Sequence, residues 1–144
     1  MPDNSVLSAT QYKEIVRWLF EDVWTKGNFG EVSKHIASGM TFHFRGRTST
    51  LSPDNLIEIV NRWRTAFPDF RFEIGAIVVE QDLTAVRLIH RGTHEGTWRG
   101  IAPTGRQIEV DEMMFLRFED GRISEVWEVT DEYLERQQLL SSET

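Results

Sequence analysis

The chain has 144 residues, of which 40% are apolar and 27% charged, and it contains no cysteine. This length fits one domain, and the balance of apolar and charged residues is typical of a globular protein rather than a disordered or fibrous one. Without cysteine, disulfides, thiolate nucleophiles and cysteine-ligated zinc sites are excluded.

The formal net charge of −7 is concentrated near the C-terminus. Residues 1–106 hold thirteen Lys and Arg against twelve Asp and Glu, whereas residues 107–144 hold three against eleven. An acidic chain is a poor nucleic-acid binder, because such binding needs a basic face to neutralise phosphates. No apolar run approaches the ~18 residues of a membrane span, and residues 1–4 lack the pattern of a signal peptide, so we expect a cytoplasmic protein without a membrane partner.

The first half of the chain has the periodicity of helices. Apolar residues recur at helical spacing over residues 8–26, and a shorter helix is predicted over residues 30–37. Residues 40–45 alternate between apolar and polar side chains, which predicts a strand. A third helix is predicted to begin at Ser52-Pro53, since serine caps free amides and proline fits the first turn, and to end before Pro68.

From Phe70 onward the period changes to two. Strands are predicted over residues 71–80, 83–95, 107–119 and 122–130, with short turns at Gln81-Asp82 and Asp120-Gly121. Residues 132–140 are predicted to form a final helix. Helices followed by an antiparallel meander indicate the α+β class, in one domain over residues 1–144 with an ordered core of about 8–140. The early helices are expected to cover one face of the sheet.

Ionisable side chains interrupt the apolar, helix-facing side of the predicted sheet. Residues two apart on a strand share a face, and five such residues have the parity of the apolar side: His90, His94, Glu112, Glu125 and Asp131. A buried carboxylate without a partner costs several kcal/mol, so the burial of these side chains requires a structural or functional reason. One reason is a cavity in which carboxyl and imidazole groups transfer protons.

Each of these residues also has a structural interpretation. A hydrogen-bonded position in the core would explain His90, and pairing with an arginine would explain Glu125. Aspartate commonly caps the N-terminus of a helix, which would explain Asp131. His94 lies at a glycine-rich strand end, where we expect a pocket mouth, and Glu112 would face solvent if it lay at a bulge. A one-residue bulge would reverse any of these assignments.

Other chemistries find little support. The glycine-rich stretch over residues 92–100 follows a strand but precedes no helix, which disfavours a phosphate cradle. His90 and His94 would stand ~13 Å apart on one strand, too far for one metal ion. Aromatic residues such as Trp63 suit a core or the wall of a pocket for a flat apolar ligand.

Several motifs together resemble the SnoaL-like polyketide cyclase family. They are HRGTHEG at residues 90–96, GIAPTGR at 100–106, FEDGRI at 118–123, and Glu125-x-Trp127-x-x-x-Asp131. The AFPDF end of the third helix at residues 66–70 and Val23-Trp24 in the first helix also match. The resemblance covers roughly residues 10–140.

This resemblance implies the fold of nuclear transport factor 2 and ketosteroid isomerase, a cone-shaped, curved antiparallel sheet packed against N-terminal helices. Characterised members close a ring of a polyketide ester by an intramolecular aldol reaction, without metal or cofactor, using an acid/base Asp assisted by a His. The matching positions are Asp131 and His94, with Glu125 as a further candidate catalytic acid. The expected substrate pocket comprises His90, Glu112, Trp127, Trp63, Phe20 and Met114.

The leading hypothesis is therefore cofactor-free acid/base catalysis on a hydrophobic carbonyl compound, with an aldol cyclisation as the specific reaction. A non-catalytic binding or association module of the same fold is the alternative, and a pocket filled by Trp18 or Trp63 would favour it. A related isomerase, dehydratase or epoxide hydrolase is a third possibility. We also expect a homodimer through the outer sheet face, where Ile89, Met113 and Phe115 have no helix to cover them.

Overall fold

The structure, a computed structural model, describes residues 7–141, so the N-terminal residues on which the signal-peptide expectation rests lie outside it. Four α-helices and six strands are present in these residues: α1 Ala9–Arg17, α2 Val32–His35, β1 Ile36–Phe44, β2 Arg47–Leu51, α3 Pro53–Ala66, β3 Arg71–Glu80, β4 Leu83–Thr93, β5 Gln107–Glu119, β6 Arg122–Thr130 and α4 Glu132–Leu140. A π-helical segment, Trp18–Thr25, continues α1. The α+β class is confirmed.

The six strands form one curved sheet in the order β2-β1-β6-β5-β4-β3. The sheet does not close, because β2 and β3 are its free edges. All neighbours are antiparallel except β1 and β6, which run parallel, so the sheet is mixed rather than wholly antiparallel as predicted. The sequence analysis also missed β2, because this edge strand, Arg-Thr-Ser-Thr-Leu, is largely exposed and lacks alternating apolar residues.

The predicted first helix is divided into two kinds of helix. Ser8 begins α1 with a capping box, in which its Oγ accepts a hydrogen bond from the Gln11 backbone at 3.1 Å. From Trp18 the backbone widens into a π-helix, a form that is rare and often found at functional sites. Its side chains Leu19, Phe20 and Trp24 are buried against the sheet, so this wide turn forms part of the molecule's interior.

The C-terminal end of α3 lies against the loop that follows β4. The backbone amides of Glu95 and Gly96 both donate to the Ala66 carbonyl at 2.9 Å. A Cβ atom at Gly96 would stand 2.7 Å from the Thr65 carbonyl oxygen, closer than real contacts allow. In the glycine-rich stretch after β4, Gly96 thus allows the loop to pack closely against the end of α3.

The inner face of β4 and β5 has the side chains that alternation predicts. Val86, Leu88 and His90 of β4 are buried, as are alternate residues of β5 from Ile108 to Phe118. These side chains pack under α1, the π-helical segment and α3 in one core. No helix within residues 7–141 is both long enough and apolar enough to cross a membrane.

Candidate functional site

A cavity of about 440 Å³ lies between the inner face of the sheet and the helices. Its size falls in the range of small-molecule sites. Most of its wall is apolar and is formed by Leu19, Phe20, Trp24, Ile36, Met40, Phe42, Phe44, Leu51, Leu56, Ile59, Trp63, Phe72, Met114, Leu116 and Val126. Four predicted pocket residues, Phe20, Trp63, Glu112 and Met114, lie in its wall.

Polar side chains gather at one end of this cavity. Glu112 comes from β5, Glu128 and Thr130 from β6, and Glu135 from α4. Arg99, in the turn between β4 and β5, completes this end. The rest of the polar lining is Arg62, Thr97 and Trp98. An apolar cavity with a few convergent polar groups is the usual form of a ligand site.

His90 lies behind the polar end and joins two of its carboxylates. Its Nδ1 atom is 3.6 Å from Glu112 Oε1 and its Nε2 atom is 3.4 Å from Glu135 Oε2. Burial lowers the pKa of His90, but the interactions with the nearby Glu112 and Glu135 carboxylates outweigh it and raise the pKa to about 9. At neutral pH the imidazole is therefore a buried cation between two carboxylates.

Two aromatic residues help to hold this cluster. The indole nitrogen of Trp98 donates to Glu135 Oε1 at 2.9 Å, which fixes the carboxylate of α4 against the loop after β4. The Trp63 ring packs edge-on to His90, with centroids 5.3 Å apart. Glu112 Oε2 and Thr130 Oγ1 are buried without a hydrogen-bond partner within residues 7–141. Because buried polar atoms are normally satisfied, these two are available to a ligand.

Glu128 differs in character from the other two acids. In the register of β5 and β6 it lies opposite Met114, while Glu112 lies opposite Thr130, so the two glutamates are diagonal neighbours across the strands. Burial, and then the charge of the neighbouring Glu112, raise the pKa of Glu128 well above its ordinary value. Glu128 therefore favours its protonated form in the folded chain.

The predicted inward orientation of Glu125, Trp127 and Asp131 is wrong, and a bulge is the reason. Arg117 pairs with Glu125 but Phe118 pairs with Ile123, so Ser124 is an extra residue that reverses the faces beyond it. Two of the three side chains then meet on the outer face of the sheet.

Glu125 and Trp127 surround a histidine of β1 on that outer face. Glu125 Oε2 lies 2.6 Å from His43 Nε2, and the Trp127 and His43 rings stack with centroids 5.1 Å apart. The same reversal turns Glu128, which alternation places outside, toward the cavity.

Asp131 and His94 hold local structure at positions away from the cavity wall. Asp131 is exposed and is the N-cap of α4, with its Oδ1 accepting from the Leu134 amide at 3.0 Å. His94 is fully buried, and its Nδ1 accepts from the Thr104 amide at 3.2 Å and lies 2.9 Å from Thr104 Oγ1. Neither residue is part of the cavity lining, and His94 instead anchors the loop between β4 and β5.

Sequence reasoning missed Glu128, Glu135 and Arg99. Glu135 carried a signal, because it lies four residues before the buried Leu139 on the same face of α4. Nothing in the local sequence distinguishes the bulge that turns Glu128 inward. Within residues 7–141, no group of three or more His, Asp or Glu side chains is arranged to hold a metal ion.

The model of the SnoaL-like polyketide cyclase family matches residues 14–139 of the chain. IdmH from Streptomyces antibioticus, a candidate polyketide cyclase, is 27% identical, with a TM-score of 0.78 over 88% of this chain and 96% of IdmH. A candidate polyketide cyclase from Acidithiobacillus ferrooxidans is 28% identical, with a TM-score of 0.80 over 92% and 97% of the chains. A candidate SnoaL-like cyclase from Jannaschia sp. CCS1, 21% identical, shares the fold with a TM-score of 0.82 over 95% and 98%.

Among curated proteins, none matches the sequence significantly. The family match extends over most of the chain and includes every strand of the sheet and the cavity between sheet and helices. It also confirms the resemblance carried by the motifs at residues 90–106 and 118–131. The chain therefore belongs to the SnoaL-like polyketide cyclase family.

Proposed function

We propose that the chain catalyses cofactor-free enolisation of a hydrophobic carbonyl compound in the cavity, with an intramolecular aldol cyclisation as the specific reaction. The observation that carries this proposal is the Glu112–Glu128 pair at the polar end of an otherwise apolar cavity. Such a pair offers a base and an acid at the same place, which enolisation requires. Family membership and the likeness to candidate polyketide cyclases support the same class of substrate.

The pair can complete a catalytic cycle without another reagent. The Glu112 carboxylate takes a proton from the carbon beside a carbonyl group, and the protonated Glu128 donates a hydrogen bond to the oxygen that becomes negative. The enolate carbon then forms a bond to a second carbonyl carbon, and the new alkoxide takes the proton of Glu128. Transfer of a proton from Glu112 to the neighbouring Glu128 restores the starting state.

His90 and the apolar wall have supporting roles in this mechanism. The imidazolium lies 3.6 Å from Glu112 and places a positive charge beside the carboxylate that acts as the base. The apolar wall excludes water, which strengthens the hydrogen bond from Glu128 to a developing oxyanion. One well-placed donor of this kind contributes roughly 3 kcal/mol in other enzymes.

Deuterium incorporation into a bicyclic ketone tests the proposal. The chain is incubated with 2-tetralone in D₂O, and loss of the proton signals beside the carbonyl is followed by NMR above the buffer rate. We expect exchange to be catalysed by the wild-type chain and slowed at least ~tenfold by Glu128→Gln, which keeps the shape but cannot return a proton.

Asp131→Asn is the matched control, since asparagine caps a helix as well as aspartate does. We expect this variant to exchange at the wild-type rate, because Asp131 lies outside the cavity lining. Catalysis that survives Glu128→Gln but is lost in Asp131→Asn would show that the proposed assignment is wrong.

The binding-module alternative receives less support from the cavity. Trp18 packs against His35 with ring centroids 4.8 Å apart, and Trp63 forms part of the wall, so neither ring fills the space. A module of this kind would bind 2-tetralone without raising the exchange rate above buffer. Isomerase and dehydratase reactions share the enolisation step and would give the same result as a cyclase in this assay.

A further inference from the structure

Two arginines lie at the mouth of the cavity, and the carboxylates of the cavity do not form close ion pairs with them. Both Arg62, on α3, and Arg99, in the turn after β4, are part of the lining. Arg62 makes no hydrogen bond or ion pair with any residue from 7 to 141, and its neighbour Trp63 forms the adjacent wall. An arginine at the edge of an apolar cavity is well suited to bind a planar anion.

Arg99 is held in place by its turn and by two aromatic rings. Trp98 and Ile101 exchange backbone hydrogen bonds of 2.9 and 2.8 Å, which leaves Arg99 and Gly100 as a two-residue turn. The guanidinium carbon lies 4.9 Å from the Trp98 ring centroid and 5.9 Å from that of Trp63. This stacking holds the guanidinium group against the two rings at the cavity lining.

The acids near Arg99 are engaged elsewhere. Glu132 Oε2 is 3.5 Å from Arg99 Nη1, but the Glu132 carboxylate accepts from Arg45 Nε at 2.6 Å. Glu135 Oε1 is 4.0 Å from Arg99 Nη1 and already accepts from the Trp98 indole at 2.9 Å. The ion pairs of Arg99 are therefore long, and its guanidinium group can donate hydrogen bonds to a closer anionic acceptor.

The charges at the polar end of the cavity also favour an anionic ligand. Two of its carboxylates, Glu112 and Glu135, share the buried cation His90, and Glu128 favours its neutral form. The two arginines add positive charge beside carboxylates that already share the His90 cation. A neutral ligand would leave this positive charge unused, whereas an anionic group would be attracted to it.

We propose that the cavity takes an amphipathic acid, whose apolar ring system lies against the aromatic wall and whose single carboxylate is bound at the mouth between Arg62 and Arg99. This inference rests on the proposed function in that it treats the cavity as the substrate site. It adds that the substrate is a free acid rather than an ester or another neutral carbonyl compound.

Binding of a matched acid and ester tests the inference. Dissociation constants for 2-naphthylacetic acid and its methyl ester are measured by isothermal titration calorimetry at neutral pH and low salt. We expect the acid to bind about tenfold more tightly to the wild-type chain, because charge-assisted hydrogen bonds to arginine are worth more than neutral ones. The preference should fall toward one in Arg62→Gln combined with Arg99→Gln.

Two single variants provide the controls. Arg62→Gln alone removes no hydrogen bond or ion pair within residues 7–141, so it should fold normally and lose part of the preference. Arg17→Gln removes the same charge from an exposed position on α1, outside the lining, and should keep the full preference. Equal affinity for acid and ester, no binding of either, or a preference that survives the double variant would overturn the inference.

The outcome is independent of the test of catalysis. A preference for the acid with no catalysed deuterium exchange would contradict the proposed reaction and leave the ligand class standing. Exchange that depends on Glu128, with equal binding of acid and ester, would support the reaction and overturn the ligand class.

Discussion

His90 Nδ1 lies 3.6 Å from Glu112 Oε1, and both side chains are almost completely buried, at 1% and 4% exposure. The second nitrogen of the same imidazole faces Glu135 of α4 at 3.4 Å. One buried cation therefore connects β4, β5 and the last helix at the polar end of the cavity. Removing it would leave two carboxylates in a buried site, which is far more costly than losing an exposed ion pair.

Replacing His90 should accordingly make stability depend on pH. The pKa is 6.5 in an unfolded chain and about 9 in the folded one, so the contribution is complete below about pH 6.5 and is lost as pH rises through 9. We expect His90→Gln to lower the free energy of unfolding by about 3 kcal/mol at pH 6, with a smaller difference at pH 10. Urea denaturation of both proteins across this range measures it.

The matched control is His43→Gln, which removes the half-buried histidine of the other histidine–glutamate pair, His43–Glu125. Because that site is accessible to water, we expect a loss of less than ~1 kcal/mol. Equal losses in the two variants, or a loss in His90→Gln that grows with pH, would contradict the assigned charge state of the buried cluster.

Glu128→Gln should stabilise the chain at alkaline pH. The pKa of Glu128 is raised in the folded state, so the folded chain retains a proton that the unfolded chain releases once pH exceeds the ordinary value of 4.5. Stability is therefore lost as pH rises from this value through the folded pKa, and the neutral amide removes that loss. We expect a higher urea midpoint than wild type near pH 8 and equal midpoints near pH 4.

Glu109→Gln provides the comparison, because Glu109 is exposed and pairs with Arg91 on the outer face. Its urea midpoint should change little at either pH. A variant at position 128 that is less stable than wild type near pH 8 would mean that Glu128 is ionised in the folded chain and would remove its role as the acid of the pair.

The extent of sequence-based prediction differs between the fold and the site. Alternation and capping were sufficient for β3, β5, β6 and α4, whose bounds match those predicted, because these elements repeat a local pattern over many residues. The orientation of the acidic side chains was harder to predict. Ser124 is an extra residue in β6, and it reverses the face of the sheet to which each later side chain of the strand points. Glu112 precedes the irregularity between β5 and β6, and its side chain is buried as strand alternation indicates, whereas Glu125 and Glu128 lie on the faces opposite to those that alternation indicates. A bulge depends on pairing with another strand and leaves no local signal.

Gly96→Ala should destabilise the contact between α3 and the loop that supports Trp98 and Arg99. The new Cβ would lie 2.7 Å from the Thr65 carbonyl oxygen and 3.0 Å from Ala66 Cα, and backbone atoms cannot move aside cheaply. We expect a loss of roughly 2 kcal/mol in the free energy of unfolding, measured by urea denaturation. Gly30→Ala is the control, because nothing lies within 4 Å of its Cβ position and its φ is not positive. Similar effects at both glycines would show that the helix–loop contact is not tight.

The outer face of the sheet carries the apolar residues from which we predict a homodimer. Met113 is 58% exposed and Phe115 51%, and their neighbours across β6 are Val129 and Trp127. The apolar row continues through Ala85 of β4 to Val78 of β3, so the patch crosses four strands. Ile89, also expected in the interface, is half-buried on the same face of β4. A contiguous apolar surface of this kind is rarely left open to water in a monomer.

Light scattering coupled to size-exclusion chromatography should give twice the mass of one chain at micromolar concentration. The double variant Met113→Glu with Phe115→Glu should give the monomer mass, because it places paired like charges at the centre of a self-complementary interface. Leu140→Glu introduces the same charge at an exposed apolar residue of α4, outside this apolar row, and should remain dimeric. A monomer mass for the wild-type chain would refute the dimer, and a dimer of the double variant would place the interface elsewhere. Because Trp127 and the His43–Glu125 pair lie beside this patch, dimerisation would bury them while leaving the cavity on the opposite face open to its ligand.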